Sequence, residues 1–517
     1  MRTNNEQREW LIRALHTAAA YAHPIEAIKV IETHISWVVL TGPYAYKIKK
    51  PVKLPFVDFS TLARRLDFCK QELRLNRRLA PNLYLGIVPI GGSIDRPRLG
   101  QEPAIEYAVQ MRQFATESRL DQQLARGSLN LTDMSTLAEF MARFHATLDP
   151  CAPDDTFASA ELVKRTVFGN LDELDKLLES PKHGIQLSAL RDWTENRYAK
   201  LETAFFARKS QGLVRECHGD LHLENLVRHG GTIVPFDALE FDPALRWIDI
   251  IDEIGFLHMD LIAHERNDLA YQFTNRYLEI GGDYAGLEVL DFYLVYRALV
   301  RAKVAAIRGA QQDSAGSDPS IPYLRLAEKL IGESSPLLII THGLSGSGKT
   351  TVSDNLVPAV PVIRLRSDIE RKRAHGFGPG DSSDSGIDSG LYAPELSAQT
   401  YDILQRHAAT GLSSGFDILI DAAFLRRSQR DHFRRLAARS NARFIILDCQ
   451  TDRATLRQRI ESRAAAGNQE SEATLEVLER QFRRREALSA TEGEILCINT
   501  GREIDYADLA ARIRRAP

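Results

Sequence analysis

The stretch GLSGSGKTT, residues Gly343 to Thr351, decides how the second half of this chain is read. It fits the pattern GxxxxGK[ST], with Gly343, Gly348, Lys349 and Thr350 at the fixed positions, and follows the apolar run Leu337 to Ile340. The glycines of such a loop let successive backbone N–H groups turn inward on a phosphate, and the helix start that follows adds a favourable dipole. Lys349 is placed to reach the β- and γ-phosphates, and the Thr350 hydroxyl to hold Mg²⁺. Ser345, Gly346, Ser347 and Thr351 complete the candidate nucleotide-binding set. A Gly/Ser turn before a helix is the alternative, but strand, loop and helix come here in the order the motif demands. The expected ligand is a nucleoside triphosphate, ATP, with Mg²⁺.

Outward from this loop, short apolar runs alternate with helical patterns. Strands are predicted at Leu337 to Thr341, Val360 to Leu365, Asp417 to Ile420, Arg443 to Leu447 and Ile495 to Asn499. That alternation predicts a parallel sheet covered on both faces, with ligands at the carboxyl ends of its strands. Asp368, in RLRSDIERKR, lies just past the second strand, and Asp421, in ILIDAAF, ends the third. Either reads as an ordinary helix cap or as a ligand-facing carboxylate. Gly376 to Gly390, GFGPGDSSDSGIDSG, reads as a flexible segment beside the acceptor side, expected to order on substrate binding.

SDIERK, the later DAAFLRRSQR and the arginine-rich stretch Ala454 to Arg463 together resemble the gluconate kinase, zeta-toxin and polynucleotide kinase branch of P-loop kinases. The resemblance implies Asp421 as the acid that ends a Walker B strand and holds the metal, Asp368 as the base facing an acceptor hydroxyl, and Arg371 as an acceptor or phosphate contact. It implies Arg459 and Arg463 as lid residues over the γ-phosphate. These two are four apart and share a helix face, a spacing that a solvated helix also shows.

In the first half, ISWVVL and AYKIKK flank Thr41-Gly42-Pro43 and predict a hairpin. Ala45, Lys47 and Lys49 share one face of the second strand, which ordinarily marks a solvated edge. A helix over Ser60 to Ala80 carries Glu72 among basic residues, strands are predicted at Tyr84 to Ile90 and Ala104 to Phe114, and helices at Thr132 to Leu148, Ala160 to Leu178 and Leu187 to Ala207. Then comes Cys217-His218-Gly219-Asp220-Leu221-His222-Leu223-Glu224-Asn225, followed by the extended Thr232 to Phe236 and Asp237. HGDxxxxN, a hairpin and an Asp parallel the HRDxxxxN and DFG order of a kinase. Phosphoryl transfer calls for these residue types: Asp220 to accept the acceptor's proton, Asn225 and Asp237 to hold Mg²⁺.

HGDLHLEN resembles the catalytic loop of the aminoglycoside phosphotransferase and fructosamine kinase group, small-molecule kinases with a protein-kinase-like fold. The resemblance implies Asp220 as base, Asn225 and Asp237 as metal ligands, and a lysine of AYKIKK paired with Glu72: Lys47 by the match to the VAIK strand, Lys49 as the alternative. Asp249, in RWIDIIDE, is similar to the Asp that braces the loop from behind. Phe236-Asp237-Ala238 departs from DFG, which implies no mobile DFG switch. Across nearly the whole chain, the order of parts resembles bacterial bifunctional aminoglycoside phosphotransferase and ATP-binding proteins.

The expected architecture is therefore two domains. Residues 1–308 form an N-terminal α+β, aminoglycoside phosphotransferase-like kinase domain, 309–336 a linker around GAQQDSAGSDPSIP, and 337–517 a C-terminal α/β P-loop kinase domain with a parallel sheet. A chain of 517 residues suits such a division. Arg297, Arg301 and Lys303 read as solvated helix faces. The formal charge of −3 gives no bulk reason to expect a nucleic-acid or membrane partner, and no stretch approaches the roughly 18 apolar residues of a membrane span. The polar N-terminus and five scattered cysteines without a CxxC pair predict free thiols in a reducing cytoplasm. The expected activity is transfer of the γ-phosphate of ATP to hydroxyls of small molecules at two sites. Two other readings stay open: the P-loop half as an ATP sensor regulating its neighbour, or as a kinase of a nucleic-acid 5′-hydroxyl or a nucleotide-sugar.

Overall fold

The computed structural model describes residues 10–54, 57–178, 181–311, 319–332, 335–378, 394–465 and 474–515. The chain divides into two compact units, one of residues Met1–Leu129, Leu148–Leu162 and Arg208–Leu257, the other of Asn130–Thr147, Val163–Ala207 and His258–Pro517.

The first unit is built on a sheet of β1 (Lys29–Glu32), β2 (Ser36–Leu40), β3 (Tyr44–Lys49), β6 (Tyr84–Ser93), β7 (Arg96–Leu99) and β8 (Glu106–Arg112), with a short pair, β4 (Lys53–Leu54) and β5 (Val57–Asp58), beside it in sequence. Its order is β1-β2-β3-β8-β6-β7, all neighbours antiparallel. The predicted hairpin forms across Gly42, whose φ of +99° only glycine adopts freely. Tyr46 and Ile48 bury one face of β3 against Leu11, Leu15, Tyr21 and Val39. Ala45, on the other face, packs with Cys69 of the helix Leu62–Arg77 and with Tyr84 and Val109. β3 lies between β2 and β8, so the ordinary alternative of a solvated edge does not hold: Lys47 and Lys49 are both buried. Buried Arg65 anchors the same helix to β8 through both oxygens of Glu106, at 2.8 and 3.0 Å. After these come β9 (Val214–Glu216), the hairpin β10 (Leu226–His229) and β11 (Thr232–Pro235), and β12 (Trp247–Asp249), which pairs with β9.

The second unit holds the P-loop sheet: β13 (Leu337–His342), β14 (Val362–Arg366), β15 (Asp417–Asp421), β16 (Arg443–Gln450) and β17 (Glu494–Asn499), all parallel, in the order β14-β15-β13-β16-β17. Its inner strands are buried almost end to end, as strands covered on both faces must be. The helices Leu131–Thr147, Asn267–Gly281 and Leu287–Gln311 belong to this unit. Asn275 supplies what a sixth strand would: its side-chain nitrogen donates to the Val362 carbonyl at 2.8 Å, and its side-chain oxygen accepts from the Arg364 N–H at 2.6 Å. Arg297 and Arg301 are buried rather than solvated, their guanidinium groups lying over the rings of Tyr296 and Tyr323 at 5.2 and 5.5 Å, and Lys303 pairs with Glu173. Aromatic faces recover part of what the cations lose with water. Most of the flexible segment predicted at 376–390, and residues 312–318 of the linker, lie outside the described residues.

The described cysteines are free thiols, and among the described residues no helix is long and apolar enough to cross a membrane.

Asp417, at the start of β15, accepts the Leu337 N–H at 2.8 Å, and burial pushes its carboxyl up to about 6. A carboxyl raised in the folded state favours folding while protonated and loses that contribution as pH rises through the folded value. Between about pH 4 and pH 7 the wild type should therefore lose stability, of order 1–3 kcal/mol, relative to Asp417→Asn, which stays neutral. Thermal midpoints of the two proteins across this range test it; a constant difference refutes it.

Candidate active sites

In the first unit, β3 and the helix Leu62–Arg77 bring two lysines to one carboxylate. Lys47 Nζ lies 3.0 Å from Glu72 Oε1 and also pairs with Asp237; Lys49 Nζ lies 2.5 Å from Glu72 Oε2 and also pairs with Glu240. Burial pushes the Glu72 carboxyl up, but the two ammonium groups outweigh it and hold it down at about 2. Burial likewise works against the charge of Lys47, and Asp237, Glu72 and Glu240 more than restore it. The lysines differ in what they face. Lys49 sits among fully buried partners, whereas Lys47 reaches Asp237, whose side chain is 41% exposed. Lys47 is thus the lysine at the open end of the cluster, and Lys49 holds Glu72 from its buried side.

The HGDLHLEN loop hangs between β9 and β10. His218 is buried and its imidazole is pushed down to about 4, so it is neutral. Its Nε2 donates to the Phe236 carbonyl at 2.8 Å and its Nδ1 accepts from the Asp220 N–H at 3.3 Å, which fixes the tautomer and ties the loop to the residue before Asp237. Gly219 has φ +88°, and a Cβ there would come within 2.7 Å of the Leu245 carbonyl oxygen. Asn225 Nδ2 donates to Asp220 Oδ2 at 2.7 Å, turning its own oxygen elsewhere. Asp237 has φ +64°, a strained value for a non-glycine residue, and is held there by Tyr84, whose hydroxyl accepts the Asp237 N–H at 3.0 Å, and by Asn76, which accepts the Ala238 N–H at 2.9 Å. Oxygens of Asn225 and Asp237 are the hard donors that Mg²⁺ takes, so the donor set fits the metal.

The brace behind the loop is not Asp249. Both oxygens of buried Glu253 accept loop N–H groups, His218 at 2.7 Å and Gly219 at 2.9 Å, while Asp249 is occupied by Arg208 at 2.5 and 2.8 Å. RWIDIIDE offers three acids within five residues, and only the orientation of the helix Ile250–Ala263 selects among them.

In the second unit, the loop after β13 follows the motif. Gly343, Gly346 and Gly348 have φ of +147°, +82° and +83°, and a Cβ on Gly343 would lie 2.5 Å from Ser347 Oγ and 2.7 Å from the Cys449 carbonyl oxygen. Thr351 falls in the first turn of the helix Lys349–Leu356. The Ser345 N–H donates to the side-chain oxygen of Gln481 at 2.7 Å, an acceptor where a phosphate oxygen would serve equally. Beside the loop is a cavity of about 590 Å³ whose walls include Ser345, Lys349, Thr350, Asp368 and Asp421. Neither aspartate is a helix cap. Asp421 ends β15 and accepts from Ser353 Oγ at 3.1 Å; Asp368 lies inside the first turn of the helix Ser367–Ala374, whose N-cap is Arg366. Arg366 also pairs with Asp368 at 3.1 Å. The Thr350 hydroxyl and the Asp421 carboxylate are again an oxygen set that fits Mg²⁺.

Arg459 donates to the Gly346 carbonyl at 3.2 Å and the Thr500 carbonyl at 2.6 Å, bracing the loop from its carbonyl side. The Arg463 side chain lies outside the described residues. The arginines that line the cavity are Arg371, Arg426, Arg480 and Arg484. The last two sit on the helix Leu475–Arg484, and the only mark of them in the sequence is the basic stretch ERQFRRR, which any charged helix end could show.

The family described as AAA domain matches residues 338–488. Over 493 residues, 94% of each chain, this protein is 31% identical to the uncharacterized protein Rv2004c of Mycobacterium tuberculosis (strain ATCC 25618 / H37Rv), and equally to the uncharacterized protein Mb2027c of Mycobacterium bovis. The chain belongs to the family of these mycobacterial proteins. Among solved structures, a choline/ethanolamine kinase family protein from Mesorhizobium loti is 12% identical and covers 63% of this chain and 95% of its own, with a TM-score of 0.38. A gluconokinase from Sinorhizobium meliloti 1021 is 18% identical and covers 35% of this chain and 91% of its own, with a TM-score of 0.25.

Glu253→Gln removes one of the two acceptors under the HGDLHLEN loop and sets an amide N–H against a backbone N–H. Loss of one such bond to a charged group costs about 1.5–3 kcal/mol, so hydrogen exchange across 217–225 should quicken by about tenfold or more. Unchanged protection at these amides would rule out the brace.

Proposed function

We propose that the chain is an ATP-dependent phosphotransferase with two kinase-type sites, each passing the γ-phosphate of ATP to a hydroxyl of a small molecule. One observation carries the reading: the cavity that receives the P-loop lysine and threonine is also walled by carboxylates from the strand ends, Asp421 closing β15 and Asp368 just past the neighbouring β14, with Asp402 on the helix Pro394–Ser413. A domain that only senses ATP has no use for a second carboxylate opposite the phosphates. In the first unit, Lys47 with Glu72, Asp220 with Asn225, and Asp237 supply the corresponding parts from side chains.

In the P-loop site, backbone N–H groups and Lys349 bind the phosphates, Thr350 and Asp421 would hold Mg²⁺, and Asp368 accepts the proton of the attacking hydroxyl. Mg²⁺ supplies neutralisation of charge on the phosphate oxygens when bound. In the other site Lys47 binds the phosphates, Asn225 and Asp237 would hold the metal, and Asp220 takes the acceptor's proton. The positive φ at Asp237 aims its carboxylate without help from a mobile DFG phenylalanine. The acceptors we propose are small polyhydroxyl or amino-alcohol compounds. The division of labour we propose follows sequence order, kinase-like residues 1–308 and P-loop residues 337–517 joined through 309–336.

Calorimetry on the full chain should find two ATP equivalents, falling to one in Lys349→Ala. A screen of sugars, polyols and amino alcohols for ATP consumption should find an activity lost in Asp220→Asn and another lost in Asp368→Asn, the latter by about a hundredfold or more with ATP binding spared, the size of a lost general base. If Lys349→Ala silences both activities while the Asp220 site still binds ATP, the P-loop half regulates its neighbour instead.

A further inference from the structure

We infer that Arg364, held in place by Glu279, is a positioning residue for Asp421, so that the metal-binding carboxylate of the P-loop site is set from a helix that precedes the linker in sequence. This rests on the reading of Lys349, Thr350 and Asp421 as a Mg²⁺–ATP site.

The chain of contacts lies wholly in the second unit. Glu279, on the helix Asn267–Gly281, is buried, and its Oε1 accepts from Arg364 Nε at 3.1 Å and Nη2 at 2.6 Å. The remaining arm of the guanidinium, Nη1, pairs with Asp354 and donates to Ser353 Oγ at 3.2 Å. Ser353 lies one turn beyond Thr350 on the helix that the P-loop starts, is fully buried, and has two acceptors within reach of its single proton: the Thr350 carbonyl at 3.0 Å and Asp421 Oδ2 at 3.1 Å. A guanidinium that donates into the hydroxyl's lone pair leaves the hydroxyl proton only these acceptors. Asp421 Oδ2 is thereby engaged by Ser353, on a side chain that also lines the cavity.

Glu279 matters because Arg364 has two carboxylate partners of different character. Asp354 is about half exposed, Glu279 nearly inaccessible. Without the buried partner, the guanidinium is drawn to the exposed one and away from Ser353. The backbone of Arg364 is fixed independently, its N–H by Asn275 and its carbonyl by the Tyr284 hydroxyl at 3.3 Å, so the strand keeps its place when the side chain moves. Burial, with Asp368 nearby, pushes the Asp421 carboxyl up, and Arg366, Arg364 and Lys349 counter this only in part.

The test uses the full chain and compares ATP affinity at the P-loop site, taken as the component absent in Lys349→Ala, with Mg²⁺ and in EDTA. In Glu279→Gln and in Ser353→Ala, ATP affinity in EDTA should stay within about twofold of wild type, while the gain on adding Mg²⁺ falls by about tenfold, the lower range for loss of a group that orients a metal ligand. Ser353→Ala leaves the buried ion pair intact and decides alone if Glu279→Gln does not fold. The inference is overturned if the folded variants keep the wild-type Mg²⁺ gain while Asp421→Asn loses it, or if affinity falls equally with and without the metal. If Asp421→Asn also keeps the gain, the site reading fails, and the inference with it.

Discussion

Two ammonium groups buried on an inner strand of the first unit stay charged because three carboxylates surround them, and one of the three, Glu72, serves both. Removing a single partner from such a buried group costs about 3–5 kcal/mol, a large share of what holds a domain folded. Glu72 therefore fixes more than a contact. It obliges the helix Leu62–Arg77 to cross β3 at one register, and Lys47 then ties that register to Asp237. With Glu240, the cluster holds two cations and three carboxylates, and the one at its open end is Asp237. The excess negative charge thus collects where a divalent cation would relieve it, and the same imbalance keeps Lys47 protonated.

The two candidate sites solve one electrostatic problem with different materials. In the first unit the phosphate-facing charge is carried by a side chain, which needs a carboxylate to survive burial. In the second it is carried largely by backbone N–H groups, which need only glycines that tolerate left-handed backbone and close neighbours. The glycine positions show how little slack the second solution has: at Gly343 even a methyl group would meet a hydroxyl and a carbonyl at under 3 Å. The first solution is robust to loop changes and sensitive to charge; the second is the reverse.

How far the sequence could be read follows from this difference. The P-loop, its five strands and the HGDLHLEN loop depend on local order, and local order is written in consecutive residues. What escaped depends on which face a helix turns. The pairing of Lys47 with Glu72 was legible through the resemblance, but the alternation of Lys47 and Lys49 is also that of a solvated edge, and only the neighbouring strands β2 and β8 show that this strand is interior. Glu253 was hidden among three acids, and Arg297 and Arg301 looked solvated because the tyrosines that cover them do not advertise the contact. Arg364 reads as one more strand residue until Glu279, far upstream, is seen beside it.

The side chain of Asn275 has a consequence for how this protein tolerates being cut. An outer strand of a parallel sheet offers a row of backbone donors and acceptors to any extended chain that meets it, and proteins blunt such rows to avoid sticking to one another. Here β14 is blunted by an amide from a helix on the far side of the polar linker. Cleavage between 312 and 318 would part the two halves of the covalent chain yet leave that amide seated, because it is held by packing. A gene truncated to begin at Leu337 would lack it from synthesis onward and present β14 with its backbone edge bare, so its fate would be set by self-association in the test tube more than by the intrinsic stability of the P-loop sheet.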